Sequence, residues 1–110
     1  MPKTNLLFIC SKNQWRSPTA ESLFKAIQLY EARSAGTEPG ARIKVSEKLI
    51  LWADVIFVME KKHKVRLQEN FPYGLEDKPL HVLDIPDDYQ FMDPELVEML
   101  RVALVEFIEM

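Results

Sequence analysis

Two kinds of apolar pattern alternate along the chain. Leu6-Leu7-Phe8-Ile9 and Val55-Ile56-Phe57-Val58-Met59 are continuous apolar runs, the pattern of strands buried on both faces. Elsewhere apolar residues recur at helical spacing. Ala20, Leu23, Phe24, Ile27 and Tyr30 form one such stripe, and Leu96, Leu100, Ala103, Leu104, Phe107 and Ile108 another.

Local chemistry marks where these elements start and stop. Ser17-Pro18 opens the first helix, with serine as N-cap and proline at the first helical position. Ala32 to Ala35 reads as a short strand ended by Gly36, and Pro39-Gly40 as a turn. Ser46 caps a short helix running to Trp52, and a charged helix spans Lys61 to Asn70. Pro72, Gly74 and Pro79 punctuate a loop before a last strand, Leu80 to Ile85. Asp93 caps a closing helix that Pro94 starts. Strands alternating with helices predict an α/β fold: a single three-layer domain over residues 1–110, its four-stranded parallel sheet covered by helices on both faces. In such sheets the ligand sits at the carboxyl ends of the strands. Cys10 follows the first strand and the Asp84–Tyr89 segment follows the last, so both are expected on one rim.

Composition narrows the functional classes. The chain is 47% hydrophobic and 28% charged, too apolar for disorder. A net charge of −3 argues against nucleic acid as a partner. The one basic run, Lys61-Lys62-His63-Lys64 with Arg66, reads as a solvated helix face. His63 and His81 are isolated and read as structural, Met59, Met92 and Met99 as core filler, and Met110 as chain end. A single cysteine excludes an intrachain disulfide and a zinc site built on several thiolates. Met1-Pro2-Lys3-Thr4-Asn5 leads into only five apolar residues. That is too few for a signal peptide, and no run reaches the ~18 apolar residues of a bilayer span. A cytoplasmic protein without a membrane partner is the expectation.

The chemistry concentrates in Cys10-Ser11-Lys12-Asn13-Gln14-Trp15-Arg16-Ser17-Pro18. Seven residues from Cys10 to Arg16 join a buried strand to a helix start. A loop of this length can turn successive N–H groups of Ser11, Lys12, Asn13, Gln14 and Trp15 inward as an anion nest, with the helix dipole behind it. Arg16 can hold two phosphate oxygens through its fork of donors. The same positive field, with a hydrogen bond from Ser17, favours the thiolate of Cys10 as a nucleophile toward phosphorus. The leaving oxygen needs a proton. Asp87 is the first candidate to supply it, with Asp84 and Asp88 as rivals. Trp15 and Tyr89 can wall the mouth, and Lys12 can contact substrate.

The stretch from Leu7-Phe8-Ile9-Cys10 to Arg16-Ser17-Pro18-Thr19-Ala20-Glu21 resembles the low-molecular-weight protein tyrosine phosphatases. Ser34-Ala35-Gly36-Thr37, Ala53 to Met59, and Ile85-Pro86-Asp87-Asp88-Tyr89 continue the likeness in order along nearly the whole chain. The resemblance implies hydrolysis of phosphomonoesters through a thiophosphoryl-cysteine on Cys10, without metal or cofactor. It implies that Asn13 holds the loop in a strained shape, Asp87 carries the acid role and Tyr89 the aromatic one. The partner it implies is a phosphorylated substrate, such as a phosphotyrosine protein. Lys12 stands where the family commonly has glycine, Trp15 replaces a second loop cysteine, and Asp88 replaces a proline. The stretch after Gly36 is shorter than usual. Arsenate reduction by disulfide relay would require more cysteines, and a phosphocysteine carrier has no need of the arginine or the acid. A catalytically weak phospho-ligand binding module stays open, as does the oligomeric state.

Overall fold

The computed structural model describes residues 3–108. Four strands, β1 (Thr4–Cys10), β2 (Tyr30–Gly36), β3 (Val55–Val58) and β4 (Leu80–Val82), alternate with four helices. These are α1 (Arg16–Leu23), α2 (Glu47–Trp52), α3 (Lys61–Asn70) and α4 (Pro94–Leu104). The sheet has the order β2-β1-β3-β4 and every pairing is parallel. The α/β, three-layer expectation therefore holds.

Alternation along β1 builds the layers. Leu6, Phe8 and Cys10 join one apolar cluster with Phe24, the C-cap of α1, and Leu96, Leu100 and Leu104 of α4. Leu7 and Ile9 join the other, with Ile50 of α2 and Leu67 of α3. Both faces of this strand are fully covered, hence its unbroken apolar run. The chain leaves β1 toward β2 on one side and returns to place β3 on the other. The carboxyl ends of β1 and β3 thus flank the point where strand order reverses, where α/β sheets open a binding crevice.

Several boundaries differ from the sequence pattern, each for a local reason. Helix α1 begins at Arg16, with Trp15 at the N-cap position and no side-chain cap. Ser17 is no cap because its hydroxyl is committed to the Cys10 sulfur. Pro18 lies inside the first turn, where a missing N–H is tolerated. Ile27 and Tyr30 lie beyond the helix, reached through turns closed by Ile27 N–H on Phe24 O and Tyr30 N–H on Ile27 O. Tyr30 instead opens β2 and sets its ring edge-on to Phe24 at 5.5 Å. Strand β4 stops at Val82 because Asp84 adopts a left-handed backbone, φ 58°. Leu83 and Ile85 still donate to Val58 and Met59 of the neighbouring strand end.

The caps of α2 and α4 are those expected: Ser46 Oγ accepts from Leu49 N–H, and Asp93 accepts from Glu95 N–H with Pro94 at the helix start. Phe107 and Ile108 follow α4 rather than belonging to it. Phe107 stacks on His81 at 4.1 Å, which gives His81 a packing role. Met59 is buried and Met99 packs on the first cluster, but Met92 is 42% exposed, with φ 61° in the turn before α4. Met110 lies outside the described residues. Lys61, Lys62 and Arg66 are solvated as expected, whereas His63 in their midst is buried. No helix among the described residues is long and apolar enough to cross a membrane.

Candidate active site

The chain leaves β1 at Cys10 and turns at once around its own sulfur. Asn13 makes the turn possible by taking a left-handed backbone, φ 57°, which asparagine tolerates better than most residues. Its N–H then points at Cys10 Sγ from 3.3 Å. Its side-chain Nδ2 donates to Ser17 Oγ at 2.8 Å, and that oxygen lies 2.9 Å from the sulfur. The Ser17 hydroxyl also lies 3.5 Å from the Ala35 carbonyl, which can accept from it. Asn13 N–H and the Ser17 hydroxyl thus both face the sulfur.

The outer side of the loop is held by the segment after β2. Thr37 N–H donates to Cys10 O, Glu38 N–H to Ser11 O and Arg42 N–H to Lys12 O. The Arg42 guanidinium adds a bond from Nε to Asn13 O at 3.0 Å. Gly36 is required here, since a Cβ would sit 2.5 Å from Ser11 O and 3.0 Å from Asn13 N. On the inner side, Ser11, Lys12, Gln14 and Trp15 donate their N–H groups to no other backbone group among the described residues. Asn13 Oδ1 is buried without a partner among them.

Arg16 is 2% exposed, and a buried guanidinium has to be paired. Its Nη1 donates to Glu60 Oε2 at 2.7 Å and to Ile85 O at 2.8 Å. Both of that nitrogen's hydrogens are thus committed to the protein. Partial burial works against the Glu60 carboxylate. The hydrogen bond and charge of Arg16, with Lys62 and His63 adding, still hold its pKa below the ordinary carboxylate value. Asp87 Oδ1 lies 3.5 Å from Arg16 Nε, with the Asp87 side chain 56% exposed.

A cleft of about 80 Å³ opens over the sulfur, lined by Cys10, Lys12, Gln14, Trp15 and Asp87. That is room for a small oxyanion, given roughly 30 Å³ for one water. The structure brings five expected residues to this cleft and seats Arg16, Asn13 and Ser17 directly behind it. Tyr89, Asp84 and Asp88 lie outside it, and Ser11 offers it only its backbone. The Ser11 side chain turns away to His63 Nε2 at 2.9 Å. Tyr89 packs on the first apolar cluster and does not line the cleft. Asp84 lines two other clefts, beside α4 and beside the start of α3, and Asp88 is exposed outside the Cys10 cleft.

The sequence pattern did not single out Glu60 or Arg42, and His63 read as structural. Glu60 still had a readable signal, since it follows β3 at the same carboxyl rim as Cys10. His63 lies three residues on, at the helix position from which a side chain reaches back to the Glu60 N–H. Nothing in the sequence singled out Arg42.

A thiol held by donors at the end of a strand, in a seven-residue loop closed by a buried arginine, defines a cysteine-dependent phosphatase site. The family described as "Low molecular weight phosphotyrosine protein phosphatase" matches residues 5–85. The chain belongs to this family, and it is a phosphatase acting on phosphorylated substrates.

Solved structures agree in fold. The tyrosine phosphatase Wzb from Escherichia coli, in complex with phosphate, superposes with a TM-score of 0.78 at 22% identity, over 96% of each chain. A low molecular weight phosphotyrosine phosphatase from Vibrio cholerae gives 0.72 at 22% identity, over 94% of this chain and 95% of that one. The YwlE arginine phosphatase from Geobacillus stearothermophilus gives 0.66 at 22%, over 97% and 99%. No curated protein sequence matches.

Proposed function

We propose that residues 1–110 act as one phosphomonoester-hydrolysing domain in which Cys10 is the nucleophile, Arg16 the clamp and Asp87 the general acid. Cys10 Sγ attacks phosphorus while the P–O ester bond breaks, and Asp87 gives its proton to the departing oxygen. Water then attacks the thiophosphoryl group and surrenders a proton to the Asp87 carboxylate. The S–P bond breaks, releasing phosphate and the thiolate. The Arg16 fork and the loop amides meet the equatorial oxygens, where charge gathers in both steps.

The observation that carries this reading is the convergence of Ser17 Oγ and Asn13 N–H on the Cys10 sulfur, in a cleft that Asp87 also lines. The placement of Asp84 and Asp88 outside that cleft favours Asp87 as the acid. Trp15, 41% exposed at the mouth, offers a face for an aryl leaving group and supports a phosphotyrosine protein as substrate. Phosphoarginine, on which the YwlE relatives act, is the comparison substrate. A thiolate nucleophile without a second cysteine in the chain suits a reducing compartment, which supports the cytoplasm.

Hydrolysis of aryl phosphates tests the acid role. Asp87→Asn is expected to lower kcat about 10²-fold on phenyl phosphates with poor leaving groups and far less on p-nitrophenyl phosphate. Equal losses across that series would remove Asp87 from the role. Peptides bearing phosphotyrosine or phosphoarginine decide the substrate class by their kcat/KM ratio.

A further inference from the structure

One buried titratable side chain at the rim takes no part in these roles. His63 stands in the first turn of α3 and is 1% exposed. Its Nδ1 lies 3.0 Å from the backbone N–H of Glu60, a group that can only donate. Nδ1 is therefore an acceptor, and the neutral ring carries its proton on Nε2. That N–H donates to Ser11 Oγ at 2.9 Å. Ser11 is the first residue after the nucleophile, and its carbonyl is pinned by Glu38 N–H.

The other half of the turn reaches the clamp. The His63 backbone N–H closes the turn on the Glu60 carbonyl at 3.0 Å, and the Glu60 carboxylate holds Arg16 Nη1 at 2.7 Å. One helix turn thus carries two prongs, Glu60 to the arginine and His63 to the start of the loop. The bond from Glu60 N–H to His63 Nδ1 ties the two prongs together.

We infer that His63 is a positioning residue for the reaction: its ring, fixed in one neutral tautomer, couples the phosphate loop to the turn that orients Arg16. The inference rests on the phosphatase reading of Cys10 and Arg16. Protonation at Nδ1 would set two donors face to face at the Glu60 N–H and undo that bond. The charges around the ring are Arg16 from α1, Glu60 and Lys62 from its own helix, and Asp87 from the loop after β4. Burial first, then Arg16 and Lys62, push its pKa from 6.5 down to about 4, against the opposing pull of Glu60 and Asp87. The ring is consequently neutral, and the coupling intact, through the neutral range. It fails as the pH falls toward 4.

The test compares His63→Leu and His63→Gln with the wild type on p-nitrophenyl phosphate. Glutamine is a natural partner for that N–H at this helix position. It offers a neutral acceptor and donor spaced much like the ring nitrogens. His63→Leu is expected to lower kcat about tenfold while KM stays within about threefold, because a loosened clamp fails developing charge more than bound substrate. His63→Gln is expected to restore kcat to within about threefold, and to lose activity less steeply than the wild type as the pH falls from about 6 to about 4.

A leucine variant equal to the wild type overturns the inference, as does a glutamine variant as poor as leucine. If the leucine variant does not fold, the acid limb decides: a wild-type limb in His63→Gln overturns the inference and a shallower one supports it. An inert wild type overturns the phosphatase roles of Cys10 and Arg16, and this inference with them. An active wild type beside an unaffected leucine variant overturns this inference alone.

Discussion

The sulfur and the guanidinium of this site are held in different ways. Cys10 is fixed from within its own loop, by Asn13 three residues on and Ser17 seven residues on. Arg16 is fixed from far along the chain, by Glu60 after β3 and by the Ile85 carbonyl after β4. The bonds to the sulfur are thus local, although Thr37, Glu38 and Arg42 brace the loop backbone from after β2. The clamp is a tertiary device, and its alignment depends on two further strands being in register. Damage to the loop should remove chemistry outright, whereas damage to α3 or β4 should leave a poorly aimed but working enzyme.

The largest effect belongs to the local half. Cys10→Ser is expected to reduce p-nitrophenyl phosphate turnover by at least about 10⁴-fold, since removing a nucleophile removes the step that the other groups assist. Arg16→Lys follows, with a loss of about 10²–10³-fold in kcat. A single ammonium cannot present parallel donors, and it also leaves Glu60 and the Ile85 carbonyl poorly matched. Either variant turning over within threefold of the wild type would break the comparison at its root.

Glu60→Gln sharpens it from the distant half. The amide keeps the shape and one acceptor but not the charge opposite Arg16, so a loss of about tenfold in kcat is expected, with Cys10 still alkylated at the wild-type rate. Equal loss of thiol reactivity would show the two halves to be one unit. The smallest effect is expected far from both. Ser46→Ala removes the N-cap of α2 and should cost about 1 kcal/mol of stability in denaturant unfolding. kcat should not change.

The same division explains what could be read from the sequence. Continuous apolar runs at Leu6–Ile9 and Val55–Val58 required strands covered on both faces, and β1 and β3 are those strands. The loop and its helix were legible because the partners of the Cys10 sulfur, Asn13 and Ser17, lie within the same loop and helix start. The end of α1 was less so, because no glycine or proline marks its stop and Ile27 and Tyr30 keep the apolar spacing beyond it. The end of β4 was hidden for another reason, since the left-handed turn at Asp84 carries no glycine.

Roles depending on long-range contacts were the least readable. Tyr89 follows the acid segment in sequence, but packs against the apolar cluster on one face of the sheet. His63 sits in a basic run that is solvated, and only the register of α3 against the loop turns its ring to Ser11. Arg42 reaches Asn13 across a separation of 29 residues, and pattern alone does not report such a contact.

The most direct test is to look for phosphorus on the sulfur. Wild-type protein turning over p-nitrophenyl phosphate is stopped by an alkaline denaturing quench, and its peptides are mapped by mass spectrometry. A phosphoryl group on the peptide containing Cys10, absent without substrate, is the predicted result. Sustained turnover with Cys10 unmodified, and undiminished in Cys10→Ser, would contradict it.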